Sequence, residues 1–374
     1  MNIAVDIRHL TRGEQSGVGT YTVALLHALF ALDKTNHYLL LSSGTKEAAK
    51  HLPLFRYENV TSVHIPIPNR ILNGLLLSRI VCLEQFLPNS FSDPVFFFPN
   101  INIISLRKTT PFIITLHDLS FEHFPHFFSK KSQLWHRLIR PAYLAKQARA
   151  IIVPSKSTAR DVEHVYYIAP EKIQTIPHGI DLSFSSVSSS EDQKIKTIYQ
   201  LPENFILFIG DLDPRKNIQA AIEGVKRYRE KTGNDLHFVM AGKGNLTSTD
   251  PLPDFVHMLG YIPNEHKATL YRLAAITVFP SIYEGFGFPI LESMASGTPV
   301  IASYTSSMTE IGADAAMYID PYNANDIAHA IEQILSSPSL QMDLKTKGFE
   351  QVRKFSWKET AERTLEVFEK VEKI

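Results

Sequence analysis

Short apolar runs punctuate the first half of the chain at intervals that leave room for a helix between them. Ile3 to Ile7 opens the series, and Leu39-Leu40-Leu41, Phe96-Phe97-Phe98, Phe112-Ile113-Ile114-Thr115-Leu116 and Ile151-Ile152-Val153 continue it. These runs are apolar throughout rather than alternating, as expected of parallel strands covered on both faces. Between the first two, the stretch Tyr21 to Leu32 sets Val23, Leu26, His27 and Phe30 near helical spacing and predicts a helix. Strand, crossover helix and strand in succession is the layer pattern of an α/β domain.

Near Asp181 the texture changes. Residues 183–197 are rich in serine and charge and poor in core formers, which predicts a linker. The alternation then restarts with strands at Phe205 to Ile209, Leu236 to Ala241, Met258 to Gly260, Ile276 to Phe279, Pro299 to Ala302 and Ala315 to Ile319. A helix is expected from about Asn217, and about 325–373 reads as helical with a break at Phe355-Ser356-Trp357. The expected organisation is two doubly wound α/β domains in tandem, 1–182 and 198–357, with no internal sequence repeat. Open α/β sheets bind ligands beyond the carboxyl ends of their strands, so the loops there are the places to look for chemistry.

A chain of 374 residues suits two domains, and 44% hydrophobic with 20% charged residues excludes a disordered chain. Net charge is zero, but residues 1–150 carry 16 Lys and Arg against 9 Asp and Glu, a net of +7 that leaves −7 for the rest. That asymmetry, if not chance, predicts an anionic partner for the first half. A single cysteine, Cys82, excludes an intrachain disulfide and a cysteine-based metal site, and fits a reducing compartment. The amino terminus lacks the pattern of a signal peptide, and no uncharged run approaches the roughly 20 residues that span a bilayer. The expectation is a soluble, cytoplasmic protein.

Two stretches concentrate the candidate chemistry. In Phe279-Pro280-Ser281-Ile282-Tyr283-Glu284-Gly285-Phe286-Gly287-Phe288-Pro289-Ile290-Leu291-Glu292, a strand runs into a glycine-rich loop and Pro289 opens a helix. Amides of Gly285, Phe286, Gly287 and Phe288 at a helix start can donate to an anion. Two carboxylates would repel a phosphate, but Glu284 and Glu292 make sense if each accepts hydrogen bonds from paired sugar hydroxyls. The bland alternative is a structural loop with two solvated glutamates. In Gly210-Asp211-Leu212-Asp213-Pro214-Arg215-Lys216-Asn217, adjacent cations follow a strand, where Arg can grip phosphate oxygens in bidentate fashion and Lys adds a point charge. Positive charge there also suits a departing diphosphate. A surface helix start with solvated charges is the competing reading.

These stretches resemble family 4 retaining glycosyltransferases of the GT-B architecture, with the Glu-x7-Glu signature at Glu284 and Glu292, and the resemblance extends over nearly the whole chain. It implies two Rossmann-like domains facing a central cleft, with the last helix, about 358–374, returning to the first domain. Ser16-Gly17-Val18-Gly19-Thr20-Tyr21 resembles the loop that lies under the donor diphosphate, so Gly17, Val18 and Gly19 are implied donor contacts. His117-Asp118 resembles the family's His near the transferred sugar, and Pro154-Ser155-Lys156-Ser157-Thr158 and Ile176-Pro177-His178-Gly179-Ile180-Asp181 match the segments that lead out of the first domain. By matching position Arg215 and Lys216 bind the diphosphate, Glu292 the ribose and Glu284 the transferred sugar, with the amides at Phe286 to Phe288 assisting. Backbone near Tyr261-Ile262 holds the base. Two departures are His178, where the family often has Asn, and Asn245, where it often has an acidic residue.

The implied activity is transfer of a hexose from a nucleoside-diphosphate sugar to a hydroxyl of a glycan or lipid-linked acceptor, and Asp118-Leu119-Ser120-Phe121-Glu122-His123-Phe124-Pro125 resembles mannosyltransferases that use GDP-mannose to build surface polysaccharides. His117, Glu284, Arg215 and Lys216 are the implied catalytic set. No cofactor is expected. The histidines show no metal-ligand spacing, and Arg215 with Lys216 supplies the charge a metal would bring, so metal independence is expected. Gly17-Val18-Gly19 lacks the third glycine of a dinucleotide fingerprint, which argues against an oxidoreductase. The rival from another class is a catalytically silent, nucleotide-sugar-binding scaffold of the same fold.

Residues 107–149 hold 8 basic residues against Asp118 and Glu122 alone, interleaved with Phe121, Phe124, Phe127, Phe128 and Trp135. That mixture suits peripheral contact with an anionic membrane or a lipid-linked acceptor, against the plainer reading of an aromatic core with a solvated basic rim. No nucleic-acid reader motif is present, and no nucleic-acid partner is expected.

Overall fold

The computed structural model describes residues 1–12, 16–244 and 251–373. Asn245 lies outside the described residues. The chain forms two compact units, Met1–Gly179 with Ser356–Ile374, and Ile180–Phe355.

The first unit is built on seven parallel strands: β1 Asn2–Asp6, β2 His37–Ser43, β3 Val60–Ile65, β4 Val95–Phe98, β5 Phe112–Thr115, β6 Ala150–Val153 and β7 Ile173–Thr175. Their spatial order is β3-β2-β1-β4-β5-β6-β7, the doubly wound arrangement. β4, β5 and β6 are buried at every position, which is why their sequences are unbroken apolar runs. The helix expected from Tyr21 begins four residues earlier, spanning Gly17–Leu32, because Ser16 caps it by accepting from Gly19 N at 3.1 Å. The last helix, Trp357–Glu372, packs in this unit. Phe368 lies edge-on to Phe97 on β4, Thr360 Oγ1 donates to Pro177 O at 2.8 Å and Arg363 donates to Thr175 O at 2.6 Å. A Cβ on Gly179 would stand 2.2 Å from Trp357 N, so only glycine lets the backbone pass this helix start.

The second unit carries six parallel strands: β8 Phe205–Ile209, β9 His237–Ala241, β10 Val256–Gly260, β11 Ile276–Phe279, β12 Val300–Ser303 and β13 Ala316–Ile319. They lie in the order β10-β9-β8-β11-β12-β13. Gly242, at φ +154°, follows β9 where a Cβ would meet Gly210 O at 1.8 Å, so the loops after β8 and β9 run in direct contact.

The segment 183–197, expected as a linker, is part of this unit instead. Glu191–Ile198 is a helix whose Ile195 is buried among Leu201, Phe205, Leu207 and Tyr271, and Asp192 pairs with Arg272 at 2.6 Å. One buried apolar residue and one ion pair to a position 80 residues on anchor it, against a composition that reads as loop. Among the described residues no helix is long and apolar enough to cross a membrane.

Candidate active site

In the second unit the strand order reverses between β8 and β11, and the loops leaving their carboxyl ends part there. After β8, Asp213 caps a short turn, Pro214–Lys216, by accepting from Arg215 N at 3.0 Å. Asn217 then takes a left-handed φ of 54°, and its Nδ2 donates to Pro321 O at 2.5 Å, which fixes the turn before the helix Ile218–Thr232. The turn aims both cations at the loop after β11. Arg215 Nη1 lies 2.9 Å from Glu284 Oε2 and donates to Tyr283 O at 2.7 Å, while Lys216 Nζ donates to Glu284 Oε1 at 2.6 Å.

Glu284 is buried, and burial alone would raise its carboxyl. Arg215 and Lys216 outweigh that and hold its pKa at about 2. Burial raises the Asp213 carboxyl against the pull of the same two cations. With one oxygen held by each cation, Glu284 is an acceptor already engaged. Its backbone is fixed as well: Glu284 N donates to Ser306 Oγ at 2.9 Å, and Ser307 Oγ donates to the carbonyls of Glu284 and Phe286. Gly287, at φ 113°, opens the helix Phe288–Ala295, in a conformation suited to glycine. The rings of Phe286, buried in the core, and Phe288 pack edge to face at 5.2 Å.

Glu292 is apart from this cluster. It sits on the helix Phe288–Ala295, buried, and accepts from Tyr271 Oη at 2.8 Å. Burial lifts its carboxyl and Lys267 opposes the lift. Past β10, Tyr261 is exposed with Lys243 Nζ over its ring at 4.8 Å, and Ile262 is buried. Because all the strands run the same way, Tyr261, Lys243, the Arg215–Lys216 turn and Glu284 lie along one edge of the sheet in strand order.

Sequence reasoning named Arg215, Lys216 and Glu284 but not their mutual pairing. It missed Tyr271, Ser306, Ser307 and Asp213 as supports, because the first three gain their meaning only from contacts made across the fold.

In the first unit Gly17, Val18 and Gly19 form the first turn of a helix rather than a free loop, so their amides belong to a helix amino terminus. His117, directly beyond β5, lies with its Nε2 2.8 Å from Pro99 O, edge-on to Tyr21 at 4.8 Å. Burial lowers its pKa. A nitrogen facing a carbonyl must carry the proton, so the neutral ring is protonated on Nε2 and presents Nδ1 as an acceptor. Asp118 Oδ1 accepts from Ser120 N and Oγ at 2.8 and 2.6 Å, holding the turn Ser120–His123. His178 is buried between Tyr21 and Trp357, and burial, with His117 beside it, drives its pKa well down.

The basic, aromatic segment divides between core and surface: Leu119, Ile139 and Leu144 are buried with Trp135 packed against them, while its basic residues lie outside that cluster. Phe121 stacks on His136 at 4.3 Å, a pocket of about 580 Å³ opens beside Arg137, Arg140 and Lys146, and on the helix Lys130–Ile139 Leu134 and Leu138 are 54% and 41% exposed. Among the described residues no group of three or more His, Cys, Asp or Glu side chains is placed to hold a metal ion.

Two parallel, doubly wound sheets, one with paired cations and a glycine-rich carboxylate loop at its switch point, define a GT-B α/β protein. The family model described as Glycosyltransferase Family 4 matches residues 15–184, and that described as Glycosyl transferases group 1 matches residues 189–351. O-antigen chain mannosyltransferase B of Escherichia coli is 27% identical over 272 residues, 68% of this chain and 69% of that protein. The serotype-specific mannosyltransferase WbdA of Escherichia coli is 30% identical over 236 residues, 60% of this chain but only 29% of that longer protein. Sucrose-phosphate synthase from Thermosynechococcus elongatus superposes with a TM-score of 0.75 at 21% identity, over 99% of both chains. HepE of Anabaena in complex with UDP and glucose superposes at 0.71 with 15% identity, over 99% of this chain and 100% of that one. The chain belongs to the family 4 glycosyltransferases of GT-B architecture.

Proposed function

We propose that the protein moves a hexose, with GDP-mannose the first donor to test, from a nucleoside-diphosphate sugar to a hydroxyl of a glycan or lipid-linked acceptor, with retention and without a metal. The observation that carries this is the Arg215–Lys216–Glu284 cluster at the switch point of the second sheet. The two cations are the only Lys or Arg of their loop; both hold Glu284, and Arg215 also lies 3.6 Å from Asp213 Oδ2. A diphosphate entering the site would compete for them and leave the Glu284 oxygens to accept from sugar hydroxyls. The cations would then neutralise charge on the diphosphate as the bond from the anomeric carbon to its oxygen breaks. The new bond forms from that carbon to the acceptor oxygen, and the acceptor's proton passes to the departing diphosphate.

The remaining roles follow the sheet edge. From β10 to β11 are three inter-strand steps, roughly 14 Å, a span suited to an extended nucleoside diphosphate. In this reading the base lies against Tyr261 and Ile262, the ribose on Glu292, and the amides of Gly285 to Phe288 assist. In the first unit, the family resemblance is what supports donor contacts for Gly17, Val18, Gly19 and Asp118, and His117 offers Nδ1 to a hydroxyl. Mannose is favoured by the resemblance to the Escherichia coli mannosyltransferases.

The test is donor turnover and product stereochemistry with a panel of GDP- and UDP-sugars, with and without EDTA. Slow hydrolysis or transfer of one donor, unaffected by EDTA and with retained configuration, is expected. Binding of a donor without turnover of any would favour the silent scaffold. We further propose that the helix Lys130–Ile139 rests on an anionic membrane at its cytoplasmic face, because exposed Leu134 and Leu138 lie one turn apart beside exposed Lys130, Lys131 and Arg137. Sedimentation with phosphatidylglycerol vesicles should fall when both leucines become serine; equal sedimentation of that variant removes the contact.

A further inference from the structure

We infer that Tyr271 is a positioning residue of the nucleotide site: it holds one oxygen of Glu292 so that the other meets the ribose hydroxyls, and the site thereby selects a ribonucleotide. This rests on the reading above that the ribose lies on Glu292. The two residues come from helices of the second unit that touch, Tyr271 from Asn264–Leu273 and Glu292 from Phe288–Ala295. Tyr271 Oη donates to Glu292 Oε2 at 2.8 Å, and both residues are buried.

Glu292 depends on such a partner in a way that Glu284 does not. Glu284 is fixed by two cations, whereas Glu292 forms no ion pair among the described residues. The charges that act on it are opposed, Lys267 favouring the carboxylate and Asp181 disfavouring it. A glutamate side chain has three torsions, and Tyr271 is the one side chain among the described residues that holds the end of this one by a hydrogen bond. Oε1 accepts from no described residue, and Glu292 keeps 8% of its surface exposed, so Oε1 is the oxygen left for a ligand.

Tyr271 suits the task because its ring is packed and its hydroxyl stays protonated. The residue is 0% exposed, in a core with Leu201, Phe205 and Leu207, and Phe184 lies edge-on to its ring at 6.0 Å. Its carbonyl accepts from Thr298 Oγ1 at 2.6 Å, which ties its backbone to the turn before β12. Burial, and the Glu292 carboxylate beside it, hold the phenol far above its usual range, so Oη is always the donor. A ligand-binding group is held to a productive geometry by a neighbour that is itself locked in place. A carboxylate oxygen can accept two hydrogen bonds, which matches the vicinal hydroxyls of a ribose. A nucleotide without those hydroxyls would leave the oxygen unmatched, and that is the source of the discrimination.

The experiment is a calorimetric titration of the full chain and of Tyr271→Phe with GDP and UDP, each against its 2′,3′-dideoxy form. In the wild-type chain one ribonucleotide should bind, and removal of its two ribose hydroxyls should weaken it roughly tenfold or more. Tyr271→Phe keeps the ring and its packing. It should weaken the ribonucleotide roughly fivefold or more and leave the dideoxy form within about twofold, so that the preference for ribose falls by the same factor. A substitution that only loosened the core would weaken both forms alike. Equal loss on both forms, or an undiminished preference in the variant, overturns the inference. Failure of the ribose reading has a different signature, seen before any substitution is made: a wild-type chain that binds neither nucleotide better than its dideoxy form takes the ribose away from Glu292, and this inference with it.

Discussion

In the proposed reading, Glu284 is a carboxylate in a site that must also bind phosphate. Placed alone beside a diphosphate it would repel it, yet here it is buried and held by Arg215 and Lys216, with its pKa at about 2. It stays ionised across the neutral range and holds the two cations in place before a donor arrives. Removing its charge has opposite effects on two ligands. Glu284→Gln should bind GDP more tightly, on the order of tenfold, because a like charge beside the phosphate is gone. It should lose most of the preference for a GDP-sugar over GDP, and calorimetry with both ligands reads the two changes together. Weaker GDP binding in this variant would mean that the carboxylate positions the cations more than it competes for them. The residue types of this cluster were legible in the chain because glycines, a proline and charges crowd the ends of two apolar runs. Their pairing was not, since 68 residues separate Lys216 from Glu284 and only the strand order brings them together. The Tyr271–Glu292 hydrogen bond was hidden for the same reason.

At the scale of elements, the apolar runs predicted strands well because a parallel sheet buries both faces and leaves no alternation to confuse with a helix. Two elements were misread. The helix Gly17–Leu32 starts at two glycines, poor helix formers, and the Ser16 cap that licenses the start is a weaker signal than the glycines. Residues 183–197 read as a linker because serine and charge dominate, while Ile195 alone carries the burial. If that helix is an integral part of the second unit, Ile195→Ala should cost about 2–4 kcal/mol in denaturant unfolding. A substitution in a true linker would leave the midpoint unchanged.

For the whole molecule, the family models together reach both units. The second unit gathers the cations and carboxylates along one edge of its sheet, and the first carries a neutral histidine and a capped helix start. The central claim is that the Arg215–Lys216 turn holds and discharges a sugar diphosphate. It is tested most directly by measuring GDP-mannose turnover and GDP affinity in the wild-type chain and in Arg215→Ala. Turnover lower by about a hundredfold or more, with weakened GDP binding and an unchanged fold, is the predicted result. Undiminished turnover in Arg215→Ala would contradict the account.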